Sequence, residues 1–127
     1  MRGLVLFAHG ASDPQWAKPF EAIRDRVRDA LPGRPVALAY LESMAPTLEE
    51  AVDALTRQGA THIVVIPLFM SQGAHLKRDV PRIIDAIRAG EAGVEITVEN
   101  AIGDVPEILD VIASWVVSKL HEAPGER

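Results

Sequence analysis

Four apolar runs alternate with four stretches of helical periodicity along this chain, and that alternation constrains its fold more than any other feature. The clearest run contains Ile63-Val64-Val65-Ile66, a β-branched block with no polar residue interrupting it. A strand with one face in water alternates apolar with polar residues, whereas an unbroken run suits a strand buried on both faces, as in a parallel sheet between helix layers. The runs cover about residues 3–8, 35–41, 61–68 and, more weakly, 94–98. Strand, helix and parallel strand in succession close a right-handed βαβ unit. The expected fold class is therefore α/β. It is a single three-layer αβα domain with a four-stranded parallel sheet in the order 2-1-3-4, helices covering both faces.

The helical stretches carry their own start and stop signals. Phe20, Ile23, Val27 and Leu31 form one stripe over 19–31. Thr47 with Glu50 three residues on is a capping-box pattern opening 47–58, and Gly59 follows as a stop. A third helix is expected over 75–89, ended by Gly90. A fourth, over 105–120, places Ile108, Leu109, Ile112, Val116 and Leu120 at helical spacing. Residues 1–121 are expected to form the domain and 122–127 a frayed tail.

Composition narrows the function classes. The chain has 127 residues, suited to one domain, and no cysteine, which excludes disulfides, thiolate metal sites and cysteine nucleophiles. A formal charge of −5 argues against a general nucleic-acid binder, which needs a basic face. No run approaches the roughly 20 apolar residues of a membrane span, and the first run is shorter than a signal-peptide core. A cytoplasmic setting is expected.

In an open parallel sheet, ligands bind beyond the carboxyl ends of the strands where the strand order reverses. Strands one and three flank that point, and His9 and His75 lie just past their ends. Neighbouring strands are about 4.8 Å apart and imidazole nitrogen binds a divalent ion at roughly 2.0–2.1 Å, so the two rings are able to share an ion. The other reading is that His9 caps a turn and His75 caps a helix; the residues alone leave both open. Glu42, after the second strand, points to the same edge and is placed to relay a metal or accept a proton. Asp104 occupies the corresponding place after the fourth strand but reads as a helix N-cap. Ser12, Asp13 and Pro14 are placed to start the first helix, and Ser71 and Gln72 to line a pocket wall. Lys77, Arg78 and Arg82 supply positive charge early in the third helix. His62 falls at the opposite edge and His121 near the end, both as structural or exposed residues. Trp16 and Trp115 are expected against the core or a subunit interface. Phosphate-loop, nucleophile-elbow and dinucleotide fingerprints are all missing.

Several blocks together resemble a known family. They are Leu6-Phe7-Ala8-His9-Gly10 with Asp13-Pro14, Leu41-Glu42 with Pro46, Pro67-Leu68-Phe69 with Gly73-Ala74-His75, and Asp79-Val80-Pro81. Ile102-Gly103-Asp104 agrees more weakly. In this combination the chain resembles the small CbiX-type (class II) sirohydrochlorin chelatases over nearly its whole length. The resemblance implies a chelatase-like fold similar to one half of the longer class II enzymes. It also implies insertion of divalent cobalt, nickel or iron into sirohydrochlorin, in cobalamin or sirohaem-type tetrapyrrole biosynthesis. His9 and His75 are then the metal ligands, with Glu42 joining them as a catalytic residue. Gly10, Ser12, Ser71, Gln72, Gly73, Lys77 and Arg78 are the substrate-binding candidates. The metal is a substrate, with no permanently bound cofactor, and the short form is implied to work as a homodimer. Two departures stand out: Ala11 replaces the family's usual serine after His-Gly, and Asp104 replaces its usual glutamate. A non-catalytic metal or tetrapyrrole carrier and a small metal-dependent hydrolase are the alternatives, the hydrolase usually needing a third protein ligand.

Overall fold

The computed structural model describes residues 1–91 and 93–122. Its strands are β1 (Arg2–Ala8), β2 (Val36–Tyr40), β3 (His62–Pro67) and β4 (Glu95–Val98). The helices are α1 (Lys18–Ala30), α2 (Leu48–Arg57), α3 (Ala74–Gly90) and α4 (Pro106–Glu122). All strand pairs are parallel and the order is β2-β1-β3-β4, as the alternation predicts. Short 3₁₀ turns at Pro14–Ala17 and Ile102–Asp104 precede α1 and α4 and had no clear signature in the apolar pattern. Of the expected tail, Glu122 is the last residue of α4, and 123–127 lie outside the described residues.

Register decides which side chains share a face. Leu4 pairs with Val36 and Val64, and Leu6 with Leu38 and Ile66, so these point to one side. Val5, Phe7, Ile63, Val65 and Ile96 point to the other. There they meet Leu48, Val52 and Leu55 of α2 and Val80, Ile84 and Ile87 of α3 in the main core. On the first side Leu6, Ala8, Leu38 and Tyr40 are covered by Ala17, Trp16, Phe20 and Val27. Trp16 thus joins the packing as expected, its ring 4.5 Å from that of Phe20.

Helix ends follow their sequence signals closely. Thr47 and Glu50 form the full capping box on α2. Beyond it, the Gly59 N–H donates to the Thr56 carbonyl and the Ala60 N–H to that of Leu55, a Schellman ending with Gly59 at φ 101°. Gly90 is the last residue of α3 rather than its stop, and Glu91 follows as the cap. Both sheet edges are capped by arginine: Arg28 donates to the Val36 carbonyl at 2.8 Å and Arg88 to the Ile96 carbonyl at 2.6 Å. These are outward-facing acceptors on the edge strands, where open backbone invites pairing with other chains.

One expectation needs correcting. Helices do not fully cover both faces, because α4 keeps its apolar side chains exposed instead of laying them on the sheet. Its main contacts are with the 3₁₀ turn that leads into it. Trp115 is accordingly 62% exposed and takes no part in the core. Val64, Ile66 and Leu68 on the first face remain only half-buried. Among the described residues no helix is long and apolar enough to cross a membrane.

Candidate metal-handling site

The site grows from the backbone just beyond the strand ends. The β1–β2 ladder continues one step past both strands, with the Leu41 N–H donating to the Ala8 carbonyl and the Glu42 N–H to that of His9 at 3.1 Å. His9 and Glu42 are thereby fixed side by side. Gly10 has φ 91°, and a Cβ there would strike the Glu42 carbonyl, so only glycine lets the two backbones approach. After Glu42 the chain turns back sharply: Ser43 sits at φ 66°, and the Tyr40 N–H donates to the Pro46 carbonyl. Glu42 therefore stands near the crest of a tight loop whose two ends are tied together.

The side chains follow that frame. Nδ1 of His9 lies 3.5 Å from Oε1 of Glu42, within ion-pair reach but longer than a well-formed hydrogen bond. It also lies 3.3 Å from the Gly10 carbonyl. The ring stands edge-on to Phe69 at 6.3 Å, and Phe69 in turn packs on Phe7 at 5.5 Å. An apolar base thus orients an imidazole that is otherwise half open to solvent.

His75 is held differently. Gly73, with an extended backbone, is the N-cap of α3, which places His75 in the first turn. Its Nε2 lies 2.8 Å from Oδ2 of Asp79, one turn along the same helix face. A depression of about 380 Å³ is lined by Leu41, Glu42, His75, Asp79, Arg82 and Ile83. Glu42 belongs to both halves, touching His9 on one side and sharing this depression with His75 on the other. The partial positive charge at the start of the 17-residue α3 and the Arg82 guanidinium give the rim a cationic side despite the chain's net acidity.

The remaining sequence candidates divide. Gly10 is built into the turn beside Glu42. Ser12, Ser71, Lys77 and Arg78 are exposed and Gln72 is half-buried, and with Gly73 none of them lines the depression. Asp13 accepts from the Gln15 N–H at 2.9 Å and so starts the first 3₁₀ turn. Asp104 does not cap α4. It ends the second 3₁₀ turn, and the Val105 carbonyl receives the first helical bonds, from Ile108 and Leu109. Gly103 matters more than its neighbour: its N–H donates to the Phe69 carbonyl, and a Cβ there would strike the Met70 carbonyl. His62 bonds Thr97 at 2.8 Å at the far edge, and His121 is exposed on α4. Among the described residues no three histidine, aspartate or glutamate side chains converge as a metal cluster. The residue underweighted from sequence is Asp79, whose signal was its i, i+4 spacing from His75.

A family model described as CbiX matches residues 3–118. The chain belongs to the CbiX family. The matched span takes in His9, Glu42, His75 and Asp79 and ends at Ser118 within α4. The sirohydrochlorin cobaltochelatase of Saccharolobus solfataricus is 31% identical over 122 residues, covering 91% of this CbiX chain and 94% of the relative. Among solved structures, a CbiX protein from Marinobacter aquaeolei superposes with a TM-score of 0.86 at 32% identity, over 97% of this chain and all of that one. The sirohydrochlorin chelatase SirB from Bacillus subtilis, solved in complex with cobalt, gives 0.73 at 27% identity over 94% of this chain. This CbiX chain spans about half the SirB length, 51%.

Proposed function

We propose that this chain is a sirohydrochlorin chelatase that inserts a divalent metal, cobalt or else nickel or iron, into its tetrapyrrole substrate in cobalamin or sirohaem-type biosynthesis. The observation that carries the reading is Glu42 touching His9 while sharing a depression with His75 and Asp79. The cobaltochelatase and SirB likenesses support the substrate assignment. A cytoplasmic setting is part of the reading and suits a cysteine-free chain, and the working form is a homodimer.

Insertion requires the ring to lose two pyrrole protons while the ion exchanges water for ring nitrogen. In this reading His9 and His75 hold the incoming ion through neutral imidazole nitrogen. With Nε2 of His75 engaged by Asp79, its Nδ1 is the free ligand atom. Glu42, beside His9 and on the depression that His75 also lines, takes up a proton released from the macrocycle or passes the ion inward. Two imidazoles leave most coordination positions open, which suits an ion that must be surrendered. Gly10, Ser12, Ser71, Gln72 and Gly73 form the loop surface facing the macrocycle. Lys77 and Arg78, with Arg82, meet its carboxylates. Because protonated imidazole binds no metal, activity falls on acidification.

The test is absorption-monitored metal insertion with purified protein, sirohydrochlorin and Co²⁺, Ni²⁺ or Fe²⁺ in turn. Acceleration over the spontaneous rate is expected, and His9→Ala and His75→Ala should each abolish it with the fold intact by circular dichroism. No acceleration with any ion would sink the proposal; tight binding without turnover is the behaviour of a carrier.

A further inference from the structure

The depression beside His75 does not end at Leu41 and Ile83. Both side chains also line a second cavity of about 190 Å³ that reaches the start of α2. The two spaces meet across this aliphatic ridge, one side chain from just past β2 and the other from α3. At that volume the inner space is a slot for a substituent, since pockets for whole drug-sized ligands begin at about 300 Å³.

The walls of the slot are apolar and firm. Phe7 is 0% exposed and Leu48 2%, and both belong to the main core. Tyr40 borders the slot but sends its ring to the opposite face of the sheet, beside Trp16. A helix start attracts anions, yet here Thr47 and Glu50 close it as a capping box, and Glu49 stands on the slot itself. Among the described residues that line it, Glu49 is the one charged side chain, whereas Arg82 lines the outer depression and not the slot. A carboxylate entering there would lose its water, meet no cation and face Glu49. A methyl group would gain burial at no such cost.

That division fits the chemistry of sirohydrochlorin. Carboxylate arms surround its rim, but on two of its rings the carbon that holds an arm also holds a methyl group. A flat macrocycle whose metal lies beside His75 extends its rim on every side, over the Leu41–Ile83 ridge among others. We infer that the slot seats a methyl group of sirohydrochlorin while the arm on the same carbon stays on the Arg82 side. Leu48, Ile83 and Glu49 thereby select the methylated ring over tetrapyrroles whose rim is carboxylate alone. This rests on the chelatase reading above and adds the basis of its substrate choice.

Uroporphyrin III is the matched probe, with the same complement of carboxylate arms and no methyl group. Binding of each metal-free ring is followed by quenching of tryptophan fluorescence, apart from any metal insertion. Sirohydrochlorin should bind the unmodified chain about tenfold more tightly, the scale on which a methyl group counts in an apolar pocket. Ile83→Phe narrows the slot and should weaken sirohydrochlorin about tenfold, with uroporphyrin III and Co²⁺ affinities held within about twofold. Glu49→Gln, an isosteric change at an exposed position, should tighten uroporphyrin III about threefold and leave sirohydrochlorin nearly unmoved. No preference between the rings, equal weakening of both by Ile83→Phe, or no response to either variant overturns the selection. If Ile83→Phe fails to fold by circular dichroism, Glu49→Gln decides, and uroporphyrin III binding unmoved by it overturns the proposal. Preferential binding with these shifts but no metal insertion sinks the chelatase reading and leaves the slot; insertion without preference does the reverse.

Discussion

Asp79 is the residue on which the handling of His75 turns. A carboxylate 2.8 Å from Nε2 fixes both the tautomer and the orientation of an imidazole that is 81% exposed and has little else to hold it. Asp79→Asn keeps the size and removes the charge. It is expected to weaken Co²⁺ binding about tenfold in a competitive titration, the usual scale for losing such a partner. Affinity unchanged within about twofold would mark the pair as an idle surface contact. His9 has more to hold it, because Phe69 supports its ring, the Glu42 carboxylate lies 3.5 Å from Nδ1, and the bond from the Glu42 N–H fixes its backbone. Its position was legible from the apolar run and glycine around it. The His75–Asp79 pairing was legible only as a spacing, since an i, i+4 pair forms on any helix and only the fold brings it to the Glu42 rim.

At the scale of elements, α2 is a helix whose start rests on a reciprocal cap. The hydrogen bond from the Thr47 backbone N–H, and then the Thr47 side chain, hold the Glu50 carboxyl below its ordinary value of 4.5. A depressed carboxyl stabilises the folded state above the unfolded value, and that contribution is lost as the pH falls through the lowered one. The stability gap between the natural chain and Glu50→Gln should thus be full at neutral pH and close below 4.5, as followed by urea unfolding at several pH values. Thr47→Ala removes the other half of the box and should cost about 1 kcal/mol. Loops are governed by contact instead of propensity. At Gly103 a methyl group would strike the Met70 carbonyl, so Gly103→Ala forces apart the loops after β3 and β4. The expected loss is about 1–3 kcal/mol of stability, with slower metal insertion because the displaced loop leads to His75. A variant as stable and active as the natural chain would show that the two loops move independently.

The whole molecule is defined by what its layers leave uncovered. A core on one side of the sheet and partial cover on the other leave the apolar side chains of α4 exposed. If two copies bury that surface together, unfolding is coupled to dissociation. The melting temperature should then rise with protein concentration and lose that dependence in Val116→Glu. A melting temperature independent of concentration in the natural chain would mean that α4 contributes nothing to a shared fold.

Period and composition alone determined the four strands, the four helices, their parallel order and the candidacy of the two histidines. These follow from local patterns: β-branched runs, capping residues, and glycines at turns. Glu42's link between His9 and the His75 depression needed the backbone ladder past the strand ends. The displacement of Asp104 from the helix cap and the role of Gly103 depended on loops meeting in space. The exposure of α4 is the sharpest case, for its apolar spacing predicts a buried helix but carries no record of against what.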